Sequence, residues 1–349
     1  MRKLFLHVGV HRTATTSIQR FMRANSAALL ARGILFPFGV ARHNLIIGPM
    51  RYGNQDVDAF ARDLAERAAV KGALAVILSD EDMSTIVDIA RFRPLTRHFD
   101  VKVVVSLRRQ DLWLESWYLQ NQKWQWDSGL AHVTLDEFFE RRGEFFWIDY
   151  AARLAEYEAV FGPGSVIAGV FEAADMPGGP IATFLQAVGV SDLSGFGPMN
   201  HDNSSLTPLT TEFMRHLPLD EMAAPDRRHF LRACEVLDKG LATNGSKLIM
   251  SHARREEVLA EHAAGNTAVA QRYFGRDQLF REPLPGPLAP LAVAQLPRDA
   301  TRLMDDFVTP YVRALGEELA KLRLAEAAGK EKLPVKPDRP RKDRKKLRT

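Results

Sequence analysis

The chain has a single cysteine, Cys234, in 349 residues. That excludes an internal disulfide framework and any zinc site built on several thiolates, and it suits a reducing compartment. No run of eighteen apolar residues occurs, so no transmembrane helix is expected. The apolar stretch after the basic start is too short for the core of a secretory signal and breaks at His11 and Arg12, so it reads as a first strand. From these absences we expect a cytoplasmic protein. The last stretch, "EKLPVKPDRPRKDRKKLRT", lacks apolar character: it holds nine Lys or Arg against three Asp or Glu. The whole chain carries 47 against 43, so the residues before this tail carry 38 against 40 and are close to neutral. Residues 331–349 are therefore expected to form a solvated, disordered end. Weak contact of that tail with an anionic membrane surface stays open, and no nucleic-acid partner is expected.

With 46% hydrophobic residues, the rest of the chain can bury a sizeable core. Four short, mostly apolar segments bounded by glycine, charge or proline read as buried parallel strands: "KLFLHVG" (3–9), "ALAVILS" (73–79), "VKVVVSL" (101–107) and "SVIAGVF" (165–171). "ILFPF" after Gly33 suits a fifth, short one. Amphipathic stretches lie between them, one with Ile18, Phe21, Met22 and Leu29 on a common face and another with Val57, Phe60, Ala61 and Leu64. That alternation predicts an α/β fold with a central, mostly parallel sheet between helical layers. Strand signals stop near residue 200, which predicts an α/β core over 1–200 and a helical extension over 201–330. All five tryptophans fall between residues 113 and 147; Trp113, Trp117 and Trp124 share a helical face, and core packing is their expected role.

In an open parallel sheet, ligands gather at the carboxyl ends of the strands. The loop after the first strand reads "GVHRTATTS" and runs into a helix. A helix start offers unpaired backbone N–H groups and the positive end of the dipole, and both favour a phosphate. Thr13, Thr15, Thr16 and Ser17 add hydroxyl donors, and Arg12 adds a forked cation. An ATP-binding P-loop needs GxxxxGK[ST], and the lysine is missing from the aligned "GVHRTATT". "SDED" at 79–82 leaves a magnesium-binding carboxylate open. After the strand "VVVSL", Arg108 stands at the strand tip and Ser116 eight positions on, two turns up the expected helix, where the two could converge on one anion.

Together these loops resemble the sulfotransferases that use 3′-phosphoadenosine 5′-phosphosulfate (PAPS), and in particular a bacterial branch related to carbohydrate sulfotransferases. Their 5′-phosphosulfate loop, K[ST]G[ST]T, is matched by "RTATT" at 12–16, and their 3′-phosphate element, an Arg with a Ser eight residues on, by Arg108 and Ser116. Looser similarity runs through "GILFPFGVARHN", "ILSDEDMS", "FGPGSVIAGVFE" and "VAQRYFGRDQLF". The resemblance implies a P-loop-like three-layer fold and transfer of a sulfuryl group from PAPS to a hydroxyl or amine, leaving 3′-phosphoadenosine 5′-phosphate (PAP). It implies Arg12 to Ser17, including Ala14, around the phosphosulfate, Arg108 and Ser116 at the 3′-phosphate, and no metal. The acceptor would be a glycan, a glycolipid or a small molecule.

Two positions depart from the pattern: the loop lysine is Arg12, and the loop glycine is Ala14. Arginine holds its proton near neutral pH, so Arg12 can act only as a fixed charge on the leaving group. Alanine at a left-handed position costs on the order of 1 kcal/mol, so the loop either tolerates it or turns more helical. For the base that removes the acceptor's proton, His43 in "VARHN" and Glu81 in "SDED" both follow expected strands. Two other classes stay open: a non-catalytic PAP- or glycan-binding relative, and a P-loop nucleotide kinase.

Overall fold

The computed structural model describes residues 1–198, 205–241 and 245–327. The tail from 331 on and most of "NHDNSS" near residue 203 lie outside the described residues. Five strands form one all-parallel sheet: β1 (Arg2–His7), β2 (Ile34–Leu35), β3 (Ala75–Ser79), β4 (Phe99–Leu107) and β5 (Val166–Val170). Their order is β2-β3-β1-β4-β5, the three-layer, P-loop-like α/β arrangement. Leu4 pairs with Val76 on one side and Val101 on the other, so β1 is central. Every residue of β3 is buried, as a strand covered on both faces requires.

Successive residues point to opposite faces, and both faces are apolar. Phe5, Ile77 and Val104 pack against Ile18, Phe21 and Met22 of α1 (Thr15–Ala24) and against Ile181, Phe184 and Leu185 of the helix Gly179–Ala187. Leu4, Leu6, Val76, Leu78 and Val103 are also buried. The helix Val57–Val70 starts where Asp56 accepts hydrogen bonds from the N–H groups of Asp58 and Ala59 at 2.8 and 3.3 Å.

The chain divides into two compact units, and the division is not the single boundary near residue 200 that the fading strand signals suggest. Among the described residues, one unit gathers 1–117, 141–198 and 252–287; the other gathers 118–140, 205–241, 245–251 and 288–327. The first therefore recruits the helix His252–Val269 from far along the sequence. Within it, buried Arg255 pairs with Asp111 at 2.8 Å and with Glu115. Local periodicity carries no trace of a pairing across more than a hundred residues. The second unit is helical, with the helix Ala224–Gly240 packed along Thr309–Ala327 around Leu231, Leu237, Phe307 and Tyr311. No helix among the described residues is long and apolar enough to cross a membrane.

Candidate active site

The sheet order sets the location. β2 and β3 lie on one side of β1 and β4 and β5 on the other, so the chain reverses direction between β1 and β4. Loops leaving neighbouring strands at such a switch point diverge and open a crevice at the strands' carboxyl ends. Two stretches meet there: the loop from Gly9 into α1, and Arg108 with the helix Gln110–Trp124.

The β1 loop has an unusual backbone. Gly9, Arg12 and Ala14 all have positive φ, at 40°, 73° and 58°. Alternation of hand along a loop creates concavities lined by backbone N–H groups, which suit anions. Gly9 is obligatory, because a Cβ there would lie 2.4 Å from Thr15 Cγ2. Ala14 caps α1 in the left-handed region, so the loop keeps the glycine-like shape and carries the alanine cost. No side chain caps α1, which leaves its first turn open to an outside acceptor. The donors are not all equivalent. Thr13 is fully buried, and its hydroxyl donates to the carbonyl of Val10 at 2.6 Å, so it braces the loop. Thr15 is buried in the first turn, Ser17 is half-buried, and Thr16 is exposed.

The two sequence motifs join at Arg12. Arg12 Nε donates to Ser116 Oγ at 2.5 Å, and Arg108 Nη1 donates to the Arg12 carbonyl at 2.8 Å. Burial lowers the affinity of both guanidiniums for their protons; for Arg108 the nearby charge of Arg12 adds to the effect, and its pKa falls to about 10. Both still carry charge at neutral pH, so the crevice holds two poorly solvated cations side by side. An anion would relieve both. Tyr150, absent from the sequence reading, fixes Arg108 from behind: its hydroxyl donates to the Arg108 carbonyl and accepts from the Arg108 N–H.

Beside this cationic corner, the end of β3 is acidic. Asp80, Glu81 and Asp82 all pair with Arg42, at 2.8, 3.0 and 2.6 Å, and Asp82 also pairs with Arg51 at 3.0 Å. Burial pushes the Asp80 carboxyl up to about 6, against the pull of Arg42. Glu81 is in this cluster: one carboxylate oxygen takes Arg42, and the other accepts from Gln19 at 2.6 Å.

His43 requires a correction. Its neighbour Arg42 reaches the acidic cluster, but the imidazole itself is fully buried. Nε2 lies 3.0 Å from the Pro37 carbonyl, which can only accept, and Nδ1 accepts from the Ser79 N–H at 3.0 Å. Both nitrogens are committed, and burial lowers the pKa to about 4. The ring ties the "VARHN" segment to β3 and has no nitrogen left for an acceptor. In "ARH" the local sequence does not tell which of two adjacent polar side chains turns inward.

The tryptophans divide as well. Trp113 and Trp117 are buried, and the Trp113 indole N–H holds the His11 carbonyl at 2.8 Å, so part of the aromatic cluster anchors the β1 loop. Trp126 is 53% exposed and stacks on Trp124. A cleft of about 330 Å³ lined by Leu114, Phe145, Phe146, Ile148, Arg142 and Arg153 includes none of the predicted site residues.

No family model matches the chain. An uncharacterized protein of Archaeoglobus fulgidus is 28% identical over 197 residues, covering 55% of this chain and 51% of that protein. The chain thus matches about half the length of that relative. A crystal structure of a sulfotransferase from Alicyclobacillus acidocaldarius aligns with 65% of this chain and 99% of its own, at a TM-score of 0.38 and 19% identity.

Proposed function

We propose that this chain transfers a sulfuryl group from PAPS to a hydroxyl or amine of an acceptor, a glycan, glycolipid or small molecule. The observation that carries the reading is the junction at the switch point, where Arg108 holds the Arg12 carbonyl and Arg12 holds Ser116. Residues 12, 108 and 116, selected by two unrelated stretches of sequence, meet in one crevice over a helix start with no side-chain cap.

In this reading the loop and the first turn of α1 take the 5′-phosphosulfate. Arg12 stabilises the charge that grows on the bridging oxygen as the sulfur–oxygen bond breaks. Arg108 and Ser116 take the 3′-phosphate; the Ser116 oxygen accepts from Arg12, so its own proton is left for an anion. The leaving group is good, so alignment and charge stabilisation are the protein's main tasks. A magnesium-dependent kinase reading has less support, because each carboxylate at the end of β3 already faces Arg42, whose charge would oppose a bound divalent cation. The left-handed Ala14 speaks against a collapsed, non-catalytic loop.

Titration calorimetry with PAP and with AMP tests the reading, since the two nucleotides differ in the 3′-phosphate. PAP should bind about 10- to 150-fold more tightly, because each hydrogen bond to a charged group contributes about 1.5–3 kcal/mol. Arg108→Ala should lose that preference while AMP affinity changes little. Equal affinities in the wild type would remove the 3′-phosphate site and the reading with it.

A further inference from the structure

Sulfuryl transfer leaves one role unassigned, that of the group taking the acceptor's proton. His43 is sealed by two backbone partners, and both oxygens of Glu81 are engaged. A third group stands in the β1 loop itself, immediately before Arg12. We propose that His11, oriented by Asp82, is the general base of this site.

Two contacts hold the His11 ring, and a third holds its backbone. The Trp113 indole pins its carbonyl, the Trp117 ring packs on it at 4.7 Å, and Asp82 Oδ1 lies 3.5 Å from Nε2. A carboxylate facing Nε2 favours a proton on that nitrogen and leaves the lone pair on Nδ1. No hydrogen bond to Nδ1 occurs among the described residues, and the side chain remains 10% exposed. The base is therefore packed and oriented, and its side chain keeps a small exposed surface.

The charges around it suit the task. Glu81 and Asp82 favour an imidazolium, while burial, the larger influence, together with Arg42 and Arg51 from the facing segment, opposes it. Arg12 follows directly in the chain. The balance lies below the ordinary value of 6.5, so His11 is neutral at pH 7 and has a lone pair free to take a proton. Once protonated, it is stabilised by Asp82, which Arg42 and Arg51 hold in place.

The acceptor oxygen attacks sulfur as its proton passes to His11 Nδ1. The bond between sulfur and the bridging oxygen breaks, and its electron pair stays with the 5′-phosphate beside Arg12. The products are the sulfate ester and PAP, and the imidazolium returns its proton to solvent.

This inference rests on the sulfuryl-transfer reading, and the test separates the two. With PAPS as donor, an acceptor that is already an anion needs no base, whereas an alcohol does. In the full chain, His11→Asn should slow transfer to the hydroxyls of glucose at least about 30-fold further than transfer to p-nitrophenolate, within the range ordinary for general acid–base catalysis. PAP titration of the variant reports separately on the donor site. With ¹⁵N-histidine, the resonance lost in His11→Asn should show an Nε2–H tautomer, and Asp82→Asn should lower its pKa. Equal losses on both acceptors, or an Nδ1–H tautomer, would remove His11 alone. Wild-type protein that transfers to neither acceptor would remove the transfer reading, and the base with it.

Discussion

The ends of β4 and β3, which flank the central strand, handle buried arginine in opposite ways. Arg108 lies beside Arg12, and both hold their protons less tightly than usual because they are desolvated, Arg108 also because the two repel. Arg42 sits among three carboxylates that outweigh its burial and raise its pKa. Burying a charge is costly unless it is answered, and at the end of β3 the answer comes from the chain itself. Beside β4 the guanidinium of Arg108 is instead given to a backbone carbonyl. One corner is neutralised by carboxylates of the chain itself, and the other would gain from an anion under the proposed function. Burial and a shifted pKa alone do not mark a binding site, since Arg42 has both and is answered by three carboxylates.

The sharpest way to break that contrast is at Arg12. If it supplies preorganised charge to the leaving group, Arg12→Ala should lower the transfer rate about 100-fold or more, the usual effect of deleting one such donor. Arg12→Lys should retain most of it, because a point charge at the same place serves the same electrostatic purpose. Rates come from transfer of label from ³⁵S-PAPS to extract acceptors, and an active Arg12→Ala would remove the leaving-group role.

A second prediction sharpens the self-satisfied side. His43, tied to β3, has its folded pKa lowered to about 4 from 6.5, and His7, 2.8 Å from Ser79 through Nδ1, is lowered to about 3. Each is a base whose charged form the fold rejects, so each adds stability above pH 6.5 that is lost as pH falls toward its folded value. Unfolding free energy should therefore drop on acidification from 6.5 to 4. The slope should be shallower in His43→Gln by up to about 1.4 kcal/mol per pH unit, the effect of one proton. Chemical denaturation at several pH values gives the slope, and an unchanged slope would mean that His43 is not held neutral.

How much of this was legible in sequence follows the range of the interactions. The strands announced themselves: "VKVVVSL" is β4 apart from its first two residues, and "ALAVILS" overlaps all of β3, because burial on both faces writes an apolar run into adjacent positions. The turn into α1 and the eight-residue step from Arg108 to Ser116 were also local. Partners far apart in sequence left no such mark. Tyr150 behind Arg108, Gln19 on Glu81 and Arg255 on Asp111 depend on how the elements pack. His11 was within reach, since it adjoins Arg12 in the loop already singled out, but its meaning depends on Asp82, which only the pairing of β1 with β3 brings near.

The smallest effect concerns the loop's own backbone and tests whether the cationic corner is held in its open shape. Ala14 lies at φ 58°, ψ 21°, where a Cβ is unfavourable, and glycine would relieve that strain. Glycine also loosens the unfolded chain, which offsets part of the gain. Ala14→Gly should therefore stabilise the protein by up to about 1 kcal/mol, a rise of a few degrees at most in Tm. Ala69 is an exposed residue of the regular helix Val57–Val70, and the same substitution there should destabilise by about 0.5–1 kcal/mol. The opposite signs separate a left-handed loop from a helical one without reference to activity. If Ala14→Gly lowered Tm as Ala69→Gly does, residue 14 would be helical, and the glycine-like loop on which the proposed anion site depends would not exist.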